Sequence, residues 1–228
     1  MIKVYSYTGK GKRETNEDYI KSEMLSNSIS LHIVADGMGG YRFGKIASQI
    51  AAESIYQFIT KNKIKGDIHA LIQQAVEFAN NQILSKRNQY HAKLGTTLAG
   101  VLLIDNIAYA FWLGDVQIQH FRDNKQFFIS ESHSLINEMK KNRVISAKEI
   151  ERYKHIVTRS LSGSQLDAPI PIVEIQFRQG DNISISSDGL YNSISPLRLS
   201  TSTATEIQNE LKKLEANNED NFSIVQII

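Results

Sequence analysis

Residues 97–130 read TLAGVLLIDNIAYAFWLGDVQIQHFRDNKQFFIS. Four β-rich runs, 97–104, 107–113, 116–121 and 126–130, are parted by Asp105-Asn106, Gly114-Asp115 and Asp123-Asn124. These residue types make two-residue turns, because they tolerate positive φ or hydrogen-bond their own backbone. The block predicts an antiparallel meander. The break at Asp105-Asn106 also rules out the apolar stretch from Thr96 to Leu113 as a membrane span.

Outward from this block the period changes. Towards the N-terminus, residues 44–61 place Ile46, Ile50, Ala51, Ile55, Phe58 and Ile59 on one helical face. Residues 67–86 do the same with Ile68, Leu71, Ile72, Ala75, Phe78, Ala79 and Ile83, and Asp67 suits an N-cap. Residues 2–8 and 31–35 read as strands. Towards the C-terminus, residues 131–155 are polar with weak helical periodicity, an excursion from the sheet. Strands return at 172–177 and 182–187, a polar helix spans 203–216, and 222–228 is a closing strand. Strands in blocks and helices in pairs predict an α+β fold, with sheets sandwiched between helix layers. We expect one domain over residues 1–228.

The composition bounds the function. The 228 residues carry a net charge of +2 with both signs interspersed, which makes no case for nucleic acid or an anionic membrane as partner. The absence of cysteine excludes disulfides, a thiolate nucleophile and Cys-ligated zinc or iron–sulfur sites. The N-terminus, MIKVYSYTGKGKR, lacks an apolar signal core. The expectation is a soluble, cytoplasmic protein.

Four aspartates stand at the edges of β-like runs, each beside Gly or Asn. They are Asp18 in Asn16-Glu17-Asp18, Asp36-Gly37 after LHIVA, Asp188-Gly189 after ISISS, and Asp220-Asn221 before FSIVQII. A strand end fixes where a carboxylate points, and the small neighbour lets backbone turn or approach a ligand. Converging, they would make a negative pocket that needs cations. Oxygen-only donors suit Mg²⁺ or Mn²⁺ rather than Zn²⁺. The six histidines show no i, i+4 pair, which argues against a His-ligated zinc. The pattern points to a metal-dependent hydrolase.

Each motif has a plainer reading. Asp36-Gly37-Met38-Gly39-Gly40 serves equally as a strand-to-helix turn, and Asp188 and Asp220 as turn residues. Asp115 is either a hairpin-turn residue or an outer metal ligand. Arg13 offers a planar fork for two phosphate oxygens, or is a solvated surface side chain. Gly39 through Lys45 spells G-x-x-x-x-G-K, the opening of a nucleotide-binding P-loop, but Ile46 stands where that loop needs a hydroxyl. A P-loop would also leave Asp18, Asp188 and Asp220 unexplained. Trp112 is most simply core.

The ordered set R-E-T-N-E-D, V-A-D-G-M-G-G, G-K-I-A-S, L-G-T-T-L, L-G-D, S-H-S-L-I-N-E, V-T-R-S-L, G-D-N-I-S-I-S-S-D-G-L and E-D-N-F-S-I-V resembles the bacterial branch of the metal-dependent Ser/Thr protein phosphatases, type 2C or PPM. The resemblance spans nearly the whole chain. It implies a four-layer sandwich, two antiparallel sheets flanked by pairs of helices, with a two-metal Mn²⁺/Mg²⁺ centre at one end. Asp36 would then bridge the two ions and Gly37 lend its carbonyl. Asp188 and Asp220 would ligate one ion, while Glu17 and Asp18 act around the other, mainly through waters. Arg13 would hold the substrate phosphate, Asn221 would support the Asp220 turn, and Asp115 would bind a labile third metal.

The chain also departs from the family pattern. Gly114-Asp115-Val116-Gln117 stands for the usual G-D-S-R, Ser132-His133-Ser134 for D-H-S, and Leu161-Ser162-Gly163 blurs the L-G that follows T-R-x. Met38 occupies a position where some eukaryotic members carry His. The implied reaction is hydrolysis of phosphoserine or phosphothreonine monoesters, which needs roughly 20 kcal/mol or more of barrier lowering. The implied partners are phosphorylated proteins and a cognate Ser/Thr kinase, and the chain is expected to act as a monomer. Residues 131–171 would form a flap over the substrate groove. Two other readings stay open: a P-loop nucleotide-binding protein, and a catalytically weak module that binds phosphoproteins without turning them over.

Overall fold

A computed structural model describes residues 2–38 and 43–228. The elements run β1 Val4–Gly9, β2 Asp18–Met24, β3 Ile29–Gly37, α1 Gly44–Lys61, α2 Ile68–Tyr90, β4 Thr96–Ile104, β5 Ile107–Leu113, β6 Gln117–Arg122 and β7 Lys125–Ile129. They continue with α3 Leu135–Asn142, α4 Ala147–Tyr153, β8 Ile172–Gln176, β9 Asn182–Ser186, α5 Asp188–Tyr191, α6 Pro196–Ser200, α7 Ala204–Asn217 and β10 Phe222–Ile227. One sheet has the order β2-β3-β4-β5-β8 and the other β1-β10-β9-β6-β7. Every pairing between these strands is antiparallel.

The expected meander therefore divides. Asp105 has φ of 52° and closes the β4–β5 hairpin, with Ile104 facing Ile107. Asp123 and Asn124, both with positive φ, close β6–β7 with Arg122 facing Lys125. Gly114-Asp115, by contrast, is a crossover between sheets and not a hairpin turn, since β5 pairs with β4 and β8 while β6 pairs with β7 and β9. Gly114 has φ of 107°, and a Cβ there would lie 2.3 Å from the Thr97 side chain, so the chain changes sheet through a bend that glycine alone fits comfortably.

The layers follow from side-chain period. On β3, Leu31, Ile33 and Ala35 face α1 and α2, where they meet Ala47, Ala51, Ile55, Ile59, Ile72, Ala75 and Ile83. Val34 points the other way, into a second core between the sheets with Val101, Ala110, Trp112, Ile118, Ile185 and Val225. A third core places Leu190, Leu199, Ile207 and Leu211 against Phe222 and Ile224 on the outer face of the second sheet. Each fully buried Leu, Ile or Phe contributes about 1.5–3 kcal/mol, so three continuous cores hold a helix–sheet–sheet–helix stack. Asp67 caps α2 by accepting from Ala70 N at 3.0 Å. Trp112 is core, and its Nε1 donates to Glu131 O at 2.9 Å.

Two other expectations shift. Strand β2 is absent from the sequence reading, and the excursion at 131–155 contains two separate helices, α3 and α4, each begun by a Ser N-cap. Among the described residues no helix is long and apolar enough to cross a membrane.

Candidate active site

Antiparallel alternation gathers several strand ends at one edge of the sandwich. Asp18 begins β2 directly opposite Asp36 on β3, and Gly37 pairs with Thr96 at the start of β4. Asp115 sits in the β5–β6 crossover, Asp188 follows β9, and Asp220 precedes β10, whose Phe222 pairs with Gly9 at the end of β1. A cavity of about 490 Å³ opens there, lined by Arg13, Glu17, Asp36, Asp115, Asp188 and Asp220 among others. Glu14, Thr15, Gly37, Met38, Thr97 and Asn221 also line it, with His155 and Val157 reaching in from residues 131–171. Asp18 lies behind the cavity, buried, with Oδ2 accepting from Ser187 Oγ at 2.8 Å.

The backbone around the carboxylates is tightly held. Gly37 N donates to Glu17 O at 3.1 Å, and Ser48 Oγ of α1 donates to the same carbonyl at 2.6 Å. A Cβ on Gly37 would stand 2.4 Å from Gly44 O and 2.8 Å from Glu17 O, so no side chain fits there. Thr96 Oγ1 donates to Asp36 O at 2.7 Å. Asn221 accepts from Glu17 N at 2.9 Å through Oδ1, and its Nδ2 donates to Lys10 O and Thr15 O at 2.9 and 3.0 Å. One amide thereby fixes the 10–17 loop against the start of β10. Arg13 Nη2 donates to Asp220 Oδ2 at 2.9 Å, a half-exposed ion pair. Tyr191 Oη donates to Asp115 O at 3.1 Å.

The electrostatics are those of crowded like charges. Burial first, and then Asp115, Asp220 and Asp18, push the Asp188 carboxyl up to about 7. Asp18 is pushed up to about 6, chiefly by burial, against the pull of its Ser223 and Ser187 hydrogen bonds. Asp36 is raised well above the ordinary carboxylate range by burial and by Asp18, Asp188, Asp115 and Asp220. Burial likewise raises Asp115 and Glu17. Asp36, Asp115 and Asp188 all keep some surface towards the cavity, so they lie deep yet remain reachable.

This set fits hard divalent cations. The clustered carboxylates offer oxygen donors, Arg13 is the one Lys or Arg among the described lining residues, and among the described residues Asp18 Oδ1 is buried with no hydrogen-bond partner. Among the described residues no three His, Asp or Glu side chains form a metal cage by themselves. That is no obstacle for Mg²⁺- or Mn²⁺-type coordination, which keeps several waters and takes one or two carboxylates per ion.

Comparison with known proteins now decides the family. The profile of the family "Protein phosphatase 2C" matches residues 10–220. The chain belongs to the protein phosphatase 2C family. It is similar to protein phosphatase PhpP of Streptococcus pneumoniae, 30% identical over 190 residues, covering 81% of this chain and 76% of that protein. A putative protein phosphatase 2C-type of Streptococcus pyogenes is 29% identical over 213 residues, covering 90% of this chain and 85% of that one. The fold matches that of the S. agalactiae serine/threonine phosphatase with a TM-score of 0.87 at 24% identity, covering 100% and 99% of the two chains. It also matches the catalytic domain of the phosphatase PstP in complex with two manganese ions, with a TM-score of 0.82 at 24% identity, covering 99% and 97%.

The P-loop reading loses its frame in this family fold. Strand β3 is flanked on both sides by antiparallel strands, and Lys45 is exposed on the first turn of α1 and does not line the acidic cavity. Gly39, Gly40, Tyr41 and Arg42, within that motif and within D-G-M-G-G, lie outside the described residues. Asp115 is a cavity residue, against the hairpin-turn reading. Sequence reasoning missed Ser48, Thr96, Ser187 and Tyr191, whose contacts join segments far apart in the chain. The small residues S-I-S-S before Asp188 and the T-T pair at 96–97 were the available signals.

Proposed function

We propose that this chain is a metal-dependent protein phosphatase hydrolysing phosphoserine and phosphothreonine monoesters on protein substrates. The observation that carries the reading is one cavity whose wall brings Glu17, Asp36, Asp115, Asp188 and Asp220 together with Arg13. Asp36 would serve both ions and Gly37 would lend its carbonyl, Asp188 and Asp220 would hold one ion, and Glu17 and Asp18 would act around the other. Asp115 is assigned to a labile third ion. Mn²⁺ or Mg²⁺ held there would supply neutralising charge and a water nucleophile available near neutral pH.

The chain's own groups do the rest. Arg13, at the cavity mouth, presents a planar fork to two phosphate oxygens and stays charged at any working pH. Its pairing with Asp220 aims the guanidinium into the cavity before substrate arrives. Asn221 holds the Arg13 loop and the Asp220 turn at fixed separation, which keeps phosphate and attacking water aligned. Residues 131–171 form a flap that contributes His155 and Val157 to the wall and shapes the groove for a protein substrate. The setting we assign is a single-domain cytoplasmic monomer acting on targets of a Ser/Thr kinase.

The test is phosphate release from a phosphothreonine peptide by Asp36→Asn and Asp188→Asn. Each removes one formal charge at nearly constant volume, so both should lose Mn²⁺-dependent turnover while the circular dichroism spectrum stays native. Wild-type turnover in either variant would sink the assignment.

A further inference from the structure

A second cavity, about 570 Å³, opens where α2 ends and shares no lining residue with the acidic one. Its polar lining is Arg87, Asn88, His91, Lys93, Ser162 and Ser164, with no carboxylate among the described lining residues. The acidic cavity, by contrast, is lined by Glu14, Glu17, Asp36, Asp115, Asp188 and Asp220 against the single guanidinium of Arg13.

The basic cavity is also a held arrangement. Arg87 Nη1 donates to Ser162 O at 3.1 Å and to Ser164 Oγ at 3.3 Å, which fixes the plane of the guanidinium. Among the described residues Nη2 and Nε carry no hydrogen bond, so the other edge of the fork has its donors unspent. Asn80 secures the loop beneath, donating to Ser164 O at 2.7 Å and accepting from Gly163 N at 2.8 Å. A fork held on one edge and open on the other is matched to an oxyanion.

The walls of the two cavities are built from neighbouring residues of the same two segments. Leu94 lines the basic cavity and Thr97 the acidic one, while Val157 lines the acidic cavity and Ser162 the basic one. Thr96 and Leu161 lock these two segments together by reciprocal backbone hydrogen bonds, both 2.9 Å. Leu94 and Thr97 are three residues apart, so their Cα atoms can be separated by at most about 11 Å. A substrate chain held in the acidic cavity need span only a few residues to reach the wall of the basic one.

We propose that the basic cavity receives a second oxyanion of the substrate protein, a phosphate or carboxylate side chain roughly three to six residues from the phosphoresidue being hydrolysed, at about 3.3 Å of rise per residue. The inference rests on the phosphatase reading and adds a substrate class to it: multiply phosphorylated or locally acidic segments. Arg87 grips the anion bidentately, with Lys93 contributing positive field at the rim. The C-terminal end of α2 opposes an anion weakly, and the fixed guanidinium outweighs that partial charge.

The test compares two phosphothreonine peptides, one plain and one with a non-hydrolysable phosphonate analogue three to six residues from the phosphothreonine. Wild-type protein with Mn²⁺ should show a KM about tenfold lower for the second peptide, equivalent to about 1.4 kcal/mol. In Arg87→Gln, which loses the charge-assisted contact, and in Lys93→Glu, which sets a carboxylate against the anion, that ratio should fall to about twofold or less. Lys93→Glu removes no hydrogen bond among the described residues, and a ratio of two KM values on one enzyme cancels any loss of active protein. Equal KM values for the two peptides on wild type at every spacing, or a ratio unchanged in both variants, would overturn the proposal and leave the phosphatase reading intact. Hydrolysis of neither peptide would overturn that reading and this inference with it. Free inorganic phosphate that lowers the KM of the plain peptide would assign the cavity to a free anion instead.

Discussion

Asp188→Asn should make the metal-free protein more stable while abolishing its catalysis. The Asp188 carboxyl titrates at about 7 in the fold against an ordinary 3.8. The folded state thus binds the proton more tightly than the unfolded state, and stability falls as pH rises from about 4 to about 7. At 1.36 kcal/mol per pKa unit, the ionised carboxylate costs the metal-free fold up to about 4 kcal/mol above pH 7. Partial access to the cavity reduces this to about 2–4 kcal/mol, which for a chain of this length raises the melting temperature by roughly 5–10 °C. The assay is thermal unfolding of wild type and Asp188→Asn in excess chelator at pH 8 and pH 5. The gain should be largest at pH 8 and shrink to less than half at pH 5, where the folded wild-type carboxyl is already neutral. A variant less stable than wild type at pH 8, or a gain equal at both pH values, would refute the crowded-carboxylate reasoning.

Three further outcomes follow from single side chains. Arg13→Ala should raise the KM for a phosphopeptide by about tenfold, the worth of a charge-assisted contact, while metal affinity stays equal or improves because Asp220 loses its competing partner; steady-state kinetics with Mn²⁺ titration separates the two. Gly37→Ala should destabilise the protein by about 2 kcal/mol or more and lose activity, since the new methyl would meet Gly44 O and Glu17 O, and chemical denaturation measures it. Lys45→Ala should leave phosphate release near wild type and reveal no ATP site by calorimetry, because Lys45 is exposed and does not line the acidic cavity.

The sequence was most legible where one physical signal sufficed. The helical faces of α1 and α2, the Asp67 cap and the turns at Asp105-Asn106 and Asp123-Asn124 all follow local rules and stand in the structure where the residues put them. The Gly114-Asp115 crossover obeys no local rule. A Gly-Asp pair between alternating strands reads as a hairpin, and only the shared core of Trp112, Ile118 and Ile185 between the sheets makes the chain change sides. Strand β2 hid because Asp18-Tyr-Ile-Lys-Ser-Glu-Met24 is half-exposed for most of its length, with polar residues on both faces. The aspartates were legible as strand-edge residues, and their motif order named the family. Their supports were not, because Ser48, Thr96 and Tyr191 act on carbonyls that tertiary packing alone brings within reach. The pairing of Arg13 with Asp220 likewise spans nearly the whole chain.

The account turns on one claim, that the carboxylate cavity hydrolyses phosphoprotein monoesters with bound divalent cations. The direct measurement is inorganic phosphate released from a phosphothreonine peptide by the wild-type chain with Mn²⁺, then with excess chelator, then with Mn²⁺ restored. The account predicts release with Mn²⁺, none with chelator, and recovery when the metal returns. Turnover that persists through chelation, or none in the presence of Mn²⁺ or Mg²⁺, would contradict it.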